Sequence, residues 1–439
     1  MRLKALLLCA AASLPGVASA NELLRAYELA QQNDMQFQAA AAERDAAIEV
    51  KPQARAAFLP QIEGGYMRGR SFQDTTPNPV FGPARRDVFT SDGLKATLNQ
   101  TVFNWQYFET LRQSDDQVAL AAAGYNAAQQ NLVLRVASAY FDVLSAADDL
   151  RSSQAEQSAL DRQLDQAKQR FDVGLAAVTD VQDAQARHDI TAAALISSEQ
   201  NLANAKDALA VITGEPVSKL TTLQDEFALP PPTPQNPDDW VASAKQGNFE
   251  LLTAQLRSEI SKRGVNVAWA KHLPTVGLMA QYSDGEQGGL FGAKQTAREL
   301  QLQVTVPIFS GGATQSGVRQ AKATHAQYQA LYENQKRVTE QLTRKAYLGV
   351  IAGAQRVKAL KQAVLSNTTA LNATETGVQV GTRTSVDVLD AQKLLYASQR
   401  DYYKSRYEYL LSILQLKSAA GTLTVKDINV IDNLLVGAP

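Results

Sequence analysis

Apolar and polar residues change places at every second position along four stretches of the chain. In "LKATLNQTVF", Leu94, Ala96, Leu98 and Val102 share one face, and Lys95, Thr97, Asn99 and Thr101 the other. "LQLQVTVPIF" sets Leu300, Leu302, Val304, Val306 and Ile308 against Gln301, Gln303, Thr305 and Pro307. "TVGLMAQY" gathers Val276, Leu278, Ala280 and Tyr282, and "QIEGGYMRG" alternates more weakly. A period of two marks strands with one apolar face, and each stretch is about the ten residues that a tilted membrane strand needs. The intervening segments, Phe72 to Asp87 and Ser283 to Ala297, are rich in Gly, Pro and Asp and are expected to be exposed loops.

Elsewhere the period is helical, and the elements come in the same order twice. A helical segment (about Glu22 to Ala57, then about Asp238 to Lys271) precedes two strands. A very long helix follows, about Tyr107 to Phe171 and about Thr314 to Thr376. A glycine turn leads to a shorter helix, about Asp180 to Thr213 and about Asp387 to Ala420. At 1.5 Å per residue each long helix should run roughly 100 Å. Val318, His325, Tyr328, Gln335, Val338 and Leu342 step at threes and fours in an Ala- and Gln-rich background. That is a narrow seam suited to close antiparallel packing.

The repetition is visible residue by residue. Val173-Gly174 matches Val380-Gly381, Asp180-Val181 matches Asp387-Val388, and Asp183-Ala184-Gln185 matches Asp390-Ala391-Gln392, all at one constant offset. The same offset relates Gly214 to Gly421, each just past a helix end. Residues 21–230 and 231–439 are therefore expected to be two copies of one structural repeat, joined at the stiff "LPPPTPQNP", Leu229 to Pro237.

Composition narrows the setting. Met1 to Ala20, "MRLKALLLCAAASLPGVASA", has the basic start, apolar run and small-residue end of an export signal. Cys9 lies inside it, so the mature chain should carry no thiol. The 439 residues include 43 basic and 44 acidic side chains, and a net charge of −1 gives no pull toward nucleic acid. His188, His272 and His325 are scattered, which argues against a histidine metal site and for solvated or helix-surface side chains. No cofactor is implied.

No later stretch reaches the ~18 apolar residues of a spanning helix. Aromatics gather where strands meet helices: Phe103, Trp105, Tyr107 and Phe108, then Trp269 and Phe309. That is where an interfacial belt belongs. Four strands cannot close a barrel, and an open sheet edge in lipid leaves amides without partners at several kcal/mol each. Several copies must then share one barrel. Three give twelve strands, a backbone diameter on the order of 25–30 Å and a water-filled lumen lined by Lys95, Asn99, Gln301 and Gln303.

At this point the chain resembles the TolC family of outer-membrane channel-tunnels. "VGTRTSVDVLDAQ", "RFDVGLAAVTDVQDAQ", "HLPTVGL" and "PIFSGG" carry the resemblance, which covers essentially all of the mature chain. It implies an α+β membrane protein: a homotrimer whose twelve-stranded transmembrane β-barrel continues as a long periplasmic α-helical coiled-coil barrel. It also implies a place in the outer membrane of a Gram-negative bacterium, in contact with its lipid. The partners implied are a periplasmic adaptor (membrane fusion) protein and an inner-membrane transporter of the RND, ABC or a similar class. Together these carry out drug efflux or type I secretion.

By position in the family motif, Asp387 and Asp390 would ring the narrow periplasmic entrance beside the turn glycines Gly174 and Gly381. Arg383 would link to Thr179 and Asp180 and hold the entrance closed. The family's other closing contact pairs a glutamine with a tyrosine three residues before the turn glycine. Gln169 matches that glutamine, but Val378 stands at the tyrosine position, so closure is expected to lean on Arg383.

Read without the family, these aspartates have other uses. Thr179-Asp180-Val181-Gln182 and Thr384-Ser385-Val386-Asp387 look like helix starts, where acids cap the first turn and complement the helix dipole. Paired carboxylates also do acid–base chemistry, but no His, Cys or Ser constellation accompanies them. The leading reading is a passive export duct without catalysis. A soluble periplasmic coiled-coil adaptor or scaffold is the alternative, and the four alternating strands argue against it.

Overall fold

The computed structural model describes residues 22–75, 85–217, 221–224, 227–287 and 292–437. The expected export signal, Met1 to Ala20, lies outside them, as does the centre of each expected strand-connecting loop. Three helices, α1 (Glu22–Asn33), α2 (Met35–Ile48) and α3 (Val50–Ala56), precede β1 (Gln61–Thr75), β2 (Arg85–Phe103), α4 (Trp105–Asp172) and α5 (Val178–Thr213). After β3 (Thr221–Leu223) the order resumes with α6 (Pro237–Gly247), α7 (Phe249–Ala270), β4 (Thr275–Gln287), β5 (Ala293–Thr305), α8 (Ala313–Gln379) and α9 (Ser385–Ala419). The chain then adds α10 (Val425–Asp432) and β6 (Leu435–Gly437). Contacts gather the chain into two compact bodies, each drawing on both halves of the sequence. One is Gln36–Gln129 with Val241–Leu342; the other is the N-terminal stretch to Met35 with Gln130–Trp240 and Thr343–Pro439.

The first body holds a four-stranded sheet in the order β1-β2-β4-β5. All three pairings are antiparallel. Its register sorts the residues by face. Ile62 lies opposite Leu98, Leu98 opposite Ala280, and Ala280 opposite Leu300. One position along, Glu63, Thr97, Gln281 and Glu299 form a polar row. A one-residue slip would invert every side chain, so the apolar face fixes the pairing. That face is bare within one chain: Ile62 is 74% exposed, Leu300 74% and Leu302 64%.

Three expectations change here. The strands run well into the segments read as loops, and Asp74 pairs with Arg86 at 2.7 Å while Thr296 donates to Asp284 at 2.7 Å. Such polar cross-strand pairs hold a ladder together without an apolar face, which is why alternation alone ended the strands too early. A bulge between Thr101 and Phe103 skips Val102 and sets Phe103 against Val276, so the alternation read through to Val102 is interrupted there. The far end of the α8 seam is also displaced, while His325, Tyr328, Gln335 and Val338 are half-buried as the seam requires. Val318 is buried as expected, but Thr339, Thr343, Tyr347 and Val350 carry the stripe onward and Leu342 is half exposed. A helix of 3.6 residues per turn drifts off a fixed heptad, and small threonines let the stripe move.

The second body owns most of the apolar core. Leu23, Tyr27 and Ala30 of α1 are buried, as are Leu132, Val136 and Tyr140 of α4, Leu209 of α5, Leu410 and Leu414 of α9, and Ile428 of α10. β3 and β6 pair antiparallel beside them, and the Tyr140 hydroxyl shares a 2.7 Å hydrogen bond with Thr221 Oγ1. Asp34, between α1 and α2, accepts two 2.8 Å bonds from the Arg135 guanidinium. Gly214 ends α5 with φ 77°, and a Cβ there would lie 2.6 Å from Asn33 Cβ. Only glycine suits both the left-handed backbone and that contact.

Candidate functional site

Two turns join the helix pairs of the second body. After α4, Gly174 takes φ 75°, its N–H donates to the Phe171 carbonyl at 2.9 Å, and the Leu175 N–H reaches back to the Arg170 carbonyl at 2.7 Å. After α8, Gly381 takes φ 77° and the Thr382 N–H reaches the Gly377 carbonyl at 2.8 Å. Both are left-handed glycine helix ends, as the two "VG" pairs predict. The next helix starts in matching places, Val178 and Ser385.

At those starts the aspartates work as caps. The Thr384 N–H donates to Asp387 Oδ2 at 2.8 Å, and the Asp387 N–H donates to Thr384 Oγ1 at 3.2 Å. The Thr384 N–H and, at 2.9 Å, the Thr384 hydroxyl both donate to Asp387 Oδ2, and with Arg383 nearby they hold the Asp387 carboxyl below the ordinary carboxylate range. A depressed pKa stabilises the helix start at neutral pH, and the benefit is lost only as pH falls through that lowered value. Asp180 makes the equivalent contact one repeat earlier, accepting from the Ala177 N–H at 3.2 Å. The first helix therefore starts before Thr179, because Asp180 reaches back three residues as Asp387 does.

Asp390 is placed differently. Its Oδ1 accepts from Arg187 Nη2 of α5 at 2.7 Å. Further along, the same two helix pairs are tied by Arg400 to Glu156 at 2.7 Å and by the Tyr407 hydroxyl to Asp148 Oδ2 at 2.6 Å. Burial, with Asp148 beside it, pushes the Tyr407 phenol pKa up, so the bond persists across the physiological range. Between these ties lies a cavity of about 390 Å³ lined by Asp149, Glu156, Arg187, Thr191, Gln392 and Arg400.

The remaining site residues are not brought together within one chain. Among the described residues, no hydrogen bond or ion pair joins Arg383 to Thr179 or Asp180, and Gln169 is exposed. The Arg383 stem instead lies over Gly377, where an added Cβ would sit 2.7 Å from Arg383 Cγ. A glycine in the last turn of an otherwise Ala- and Thr-rich helix was the available signal for that contact. His188, read as a solvated or helix-surface side chain, bridges Asp161 at 3.0 Å and Asp189 at 2.9 Å. Its neighbour Asp189 was visible in the sequence; Asp161 became a partner only through the α4–α5 hairpin.

The aromatics at the strand–helix junctions are mixed. Phe58 packs on Phe108 at 4.8 Å and edge-on to Tyr107 at 6.1 Å, while Trp105 lies 5.9 Å from Phe108. Trp269 is 50% exposed and Phe309 88%. Among the described residues no helix is long and apolar enough to cross a membrane.

A sheet with two unpaired edges and an uncovered apolar face, carried by long helices that turn at glycine caps, defines a subunit of an oligomeric membrane channel. Comparison with known proteins agrees. The family described as outer membrane efflux protein matches residues 26–215 and 240–422. Outer membrane protein TolC of Vibrio cholerae serotype O1 is 37% identical over 419 residues, covering 93% of this chain and 92% of its own. Alkaline protease secretion protein AprF of Pseudomonas aeruginosa is 29% identical over 416 residues, covering 93% and 86%. The Campylobacter jejuni CmeC outer membrane channel superimposes with a TM-score of 0.79 at 16% identity, over 94% of this chain and 89% of that one, and shares the fold. This chain belongs to the outer membrane efflux protein family. It is an export channel of the Gram-negative outer membrane.

Proposed function

We propose that the chain is the outer duct of a multi-part export machine, passive and without a catalytic step of its own. Three copies close a twelve-stranded barrel, whose helices extend into the periplasm and meet an adaptor and an inner-membrane transporter. Energy comes from those partners. The observation that carries this reading is the sheet, apolar on one face and open at both edges, which no single copy can satisfy in lipid. Met1 to Ala20 is read as the signal that sends the chain to the periplasm, and residues 21–230 and 231–439 as two copies of one structural repeat. The junction aromatics Phe103, Trp105, Tyr107, Trp269 and Phe309 are read as the interfacial belt. The purified protein should need detergent and conduct in planar bilayers; a water-soluble, non-conducting monomer would overturn the proposal.

At the turns, Asp387 and Asp390 of three copies line the periplasmic mouth, and Arg383 closes it by reaching Thr179 and Asp180 of a neighbouring helix pair. Gln169 has no tyrosine partner at Val378, so Arg383 bears the closure. Arg383→Ser removes a charge-assisted bond in each copy and should raise single-channel conductance severalfold. Gly377→Ala, which displaces the Arg383 stem, should shift conductance the same way by less. Unchanged conductance in both would place the closing contact elsewhere.

A further inference from the structure

The ion pair between Arg187 and Asp390 lies across the two helix hairpins, α4–α5 on one side and α8–α9 on the other. Along α9, Asp390, Tyr396, Arg400 and Tyr407 reach the other hairpin, with partners Arg187, the Ala155 carbonyl, Glu156 and Asp148. Asp390 is the member nearest the turns. It sits in the second turn of α9, and its own side chain is 63% exposed while Arg187 is 29% exposed. The tie nearest a mouth is the first to part when one hairpin swings from the other. The cavity behind it, bounded by Arg187 and Arg400, leaves room for that motion. Gln392 Oε1, buried there, finds no protein partner in this arrangement.

The pair also changes the electrostatics of the mouth. Asp387 is already committed to the Thr384 cap. Asp390 faces a guanidinium at 2.7 Å, so a cation approaching it meets a dipole rather than a bare carboxylate. We propose that Arg187 sets both the closure and the cation affinity of the mouth: paired, it masks Asp390; released on opening, it leaves the acidic ring exposed. Arg187 is a positioning residue acting through Asp390, and the inference rests on the reading of Asp390 as mouth lining. Arg187 and Asp390 thus couple gating to selectivity, with no bond made or broken other than the ion pair.

The test is a double-mutant cycle on the reconstituted full channel, read as block by lanthanum(III) from the periplasmic side and as reversal potential in a potassium chloride gradient. Arg187→Gln should strengthen lanthanum block about tenfold and raise conductance, because the ring gains unmasked charge. Arg187→Lys should restore most of the original block. In an Asp390→Asn background, Arg187→Gln should have no further effect on block. If Asp390→Asn weakens block while Arg187→Gln leaves it unchanged, the inference falls and the mouth-lining reading stands. If neither substitution alters block or reversal potential, both fall together. An equal effect of Arg187→Gln with and without Asp390 would likewise overturn the coupling.

Discussion

Proline at both Gln301 and Leu302 leaves the chain unassembled: the detergent-stable trimer disappears and the subunit runs as an aggregate or monomer on native gels. β5 is an edge of the sheet within one chain, and in the barrel it must pair with β1 of the next copy. Neighbouring residues on a strand point their N–H groups to opposite sides, so the two prolines remove one donor toward β4 and one toward the neighbouring copy. In lipid no water replaces either bond, and each orphaned carbonyl costs several kcal/mol. The loss recurs in every copy of a closed ring. The same pair of prolines at exposed Thr369 and Ala370 of α8 is a control for simple misfolding, and it should bend that helix while leaving the barrel bands intact. Normal trimer from the β5 variant would refute edge-to-edge closure.

Neutralising the mouth, Asp387→Asn with Asp390→Asn, should weaken block by lanthanum(III) at least tenfold and move the reversal potential toward non-selectivity. Asparagine is chosen because it keeps an oxygen that can accept from the Thr384 N–H, so the α9 start survives. Residues three apart share a helix face, and three copies direct six carboxylates toward one axis. Crowding in that ring opposes the depression that the Thr384 cap and Arg383 impose on Asp387. Block should therefore fade as pH drops through the carboxylate range, and the double variant should lose that pH dependence. Retained block with retained pH dependence would assign the cation site to other groups.

Much of this architecture is carried by local pattern. The two faces of the sheet, with Leu98, Ala280 and Leu300 on the apolar one, follow from alternation, because a one-residue slip would turn them over. The glycine turns and the Asp387 cap were equally legible, because left-handed ends and capping boxes depend on a few adjacent residues. What escaped depends on distance. Arg187 meets Asp390 only after helices far apart in sequence have packed, and His188 meets Asp161 only once α4 and α5 fold back on each other. The three-residue strands β3 and β6 are too short to show a period, and they pair across more than 200 residues of sequence, with Tyr140 of α4 bonded to Thr221 of β3. The outer parts of β1 and β2 are held by charge pairs such as Asp74–Arg86 rather than by alternation, so composition alone read them as loops.

Those outer parts have a geometric consequence. β2 spans 19 residues, which at about 3.3 Å per residue is about 60 Å of strand, or about 45 Å of height once tilted near 45°. The apolar band of such barrels is only about 25 Å tall. The surplus should stand above the headgroups, so the pore is expected to empty clear of the lipid surface. A cysteine placed near Asp74 should then be labelled on intact cells by a membrane-impermeant maleimide.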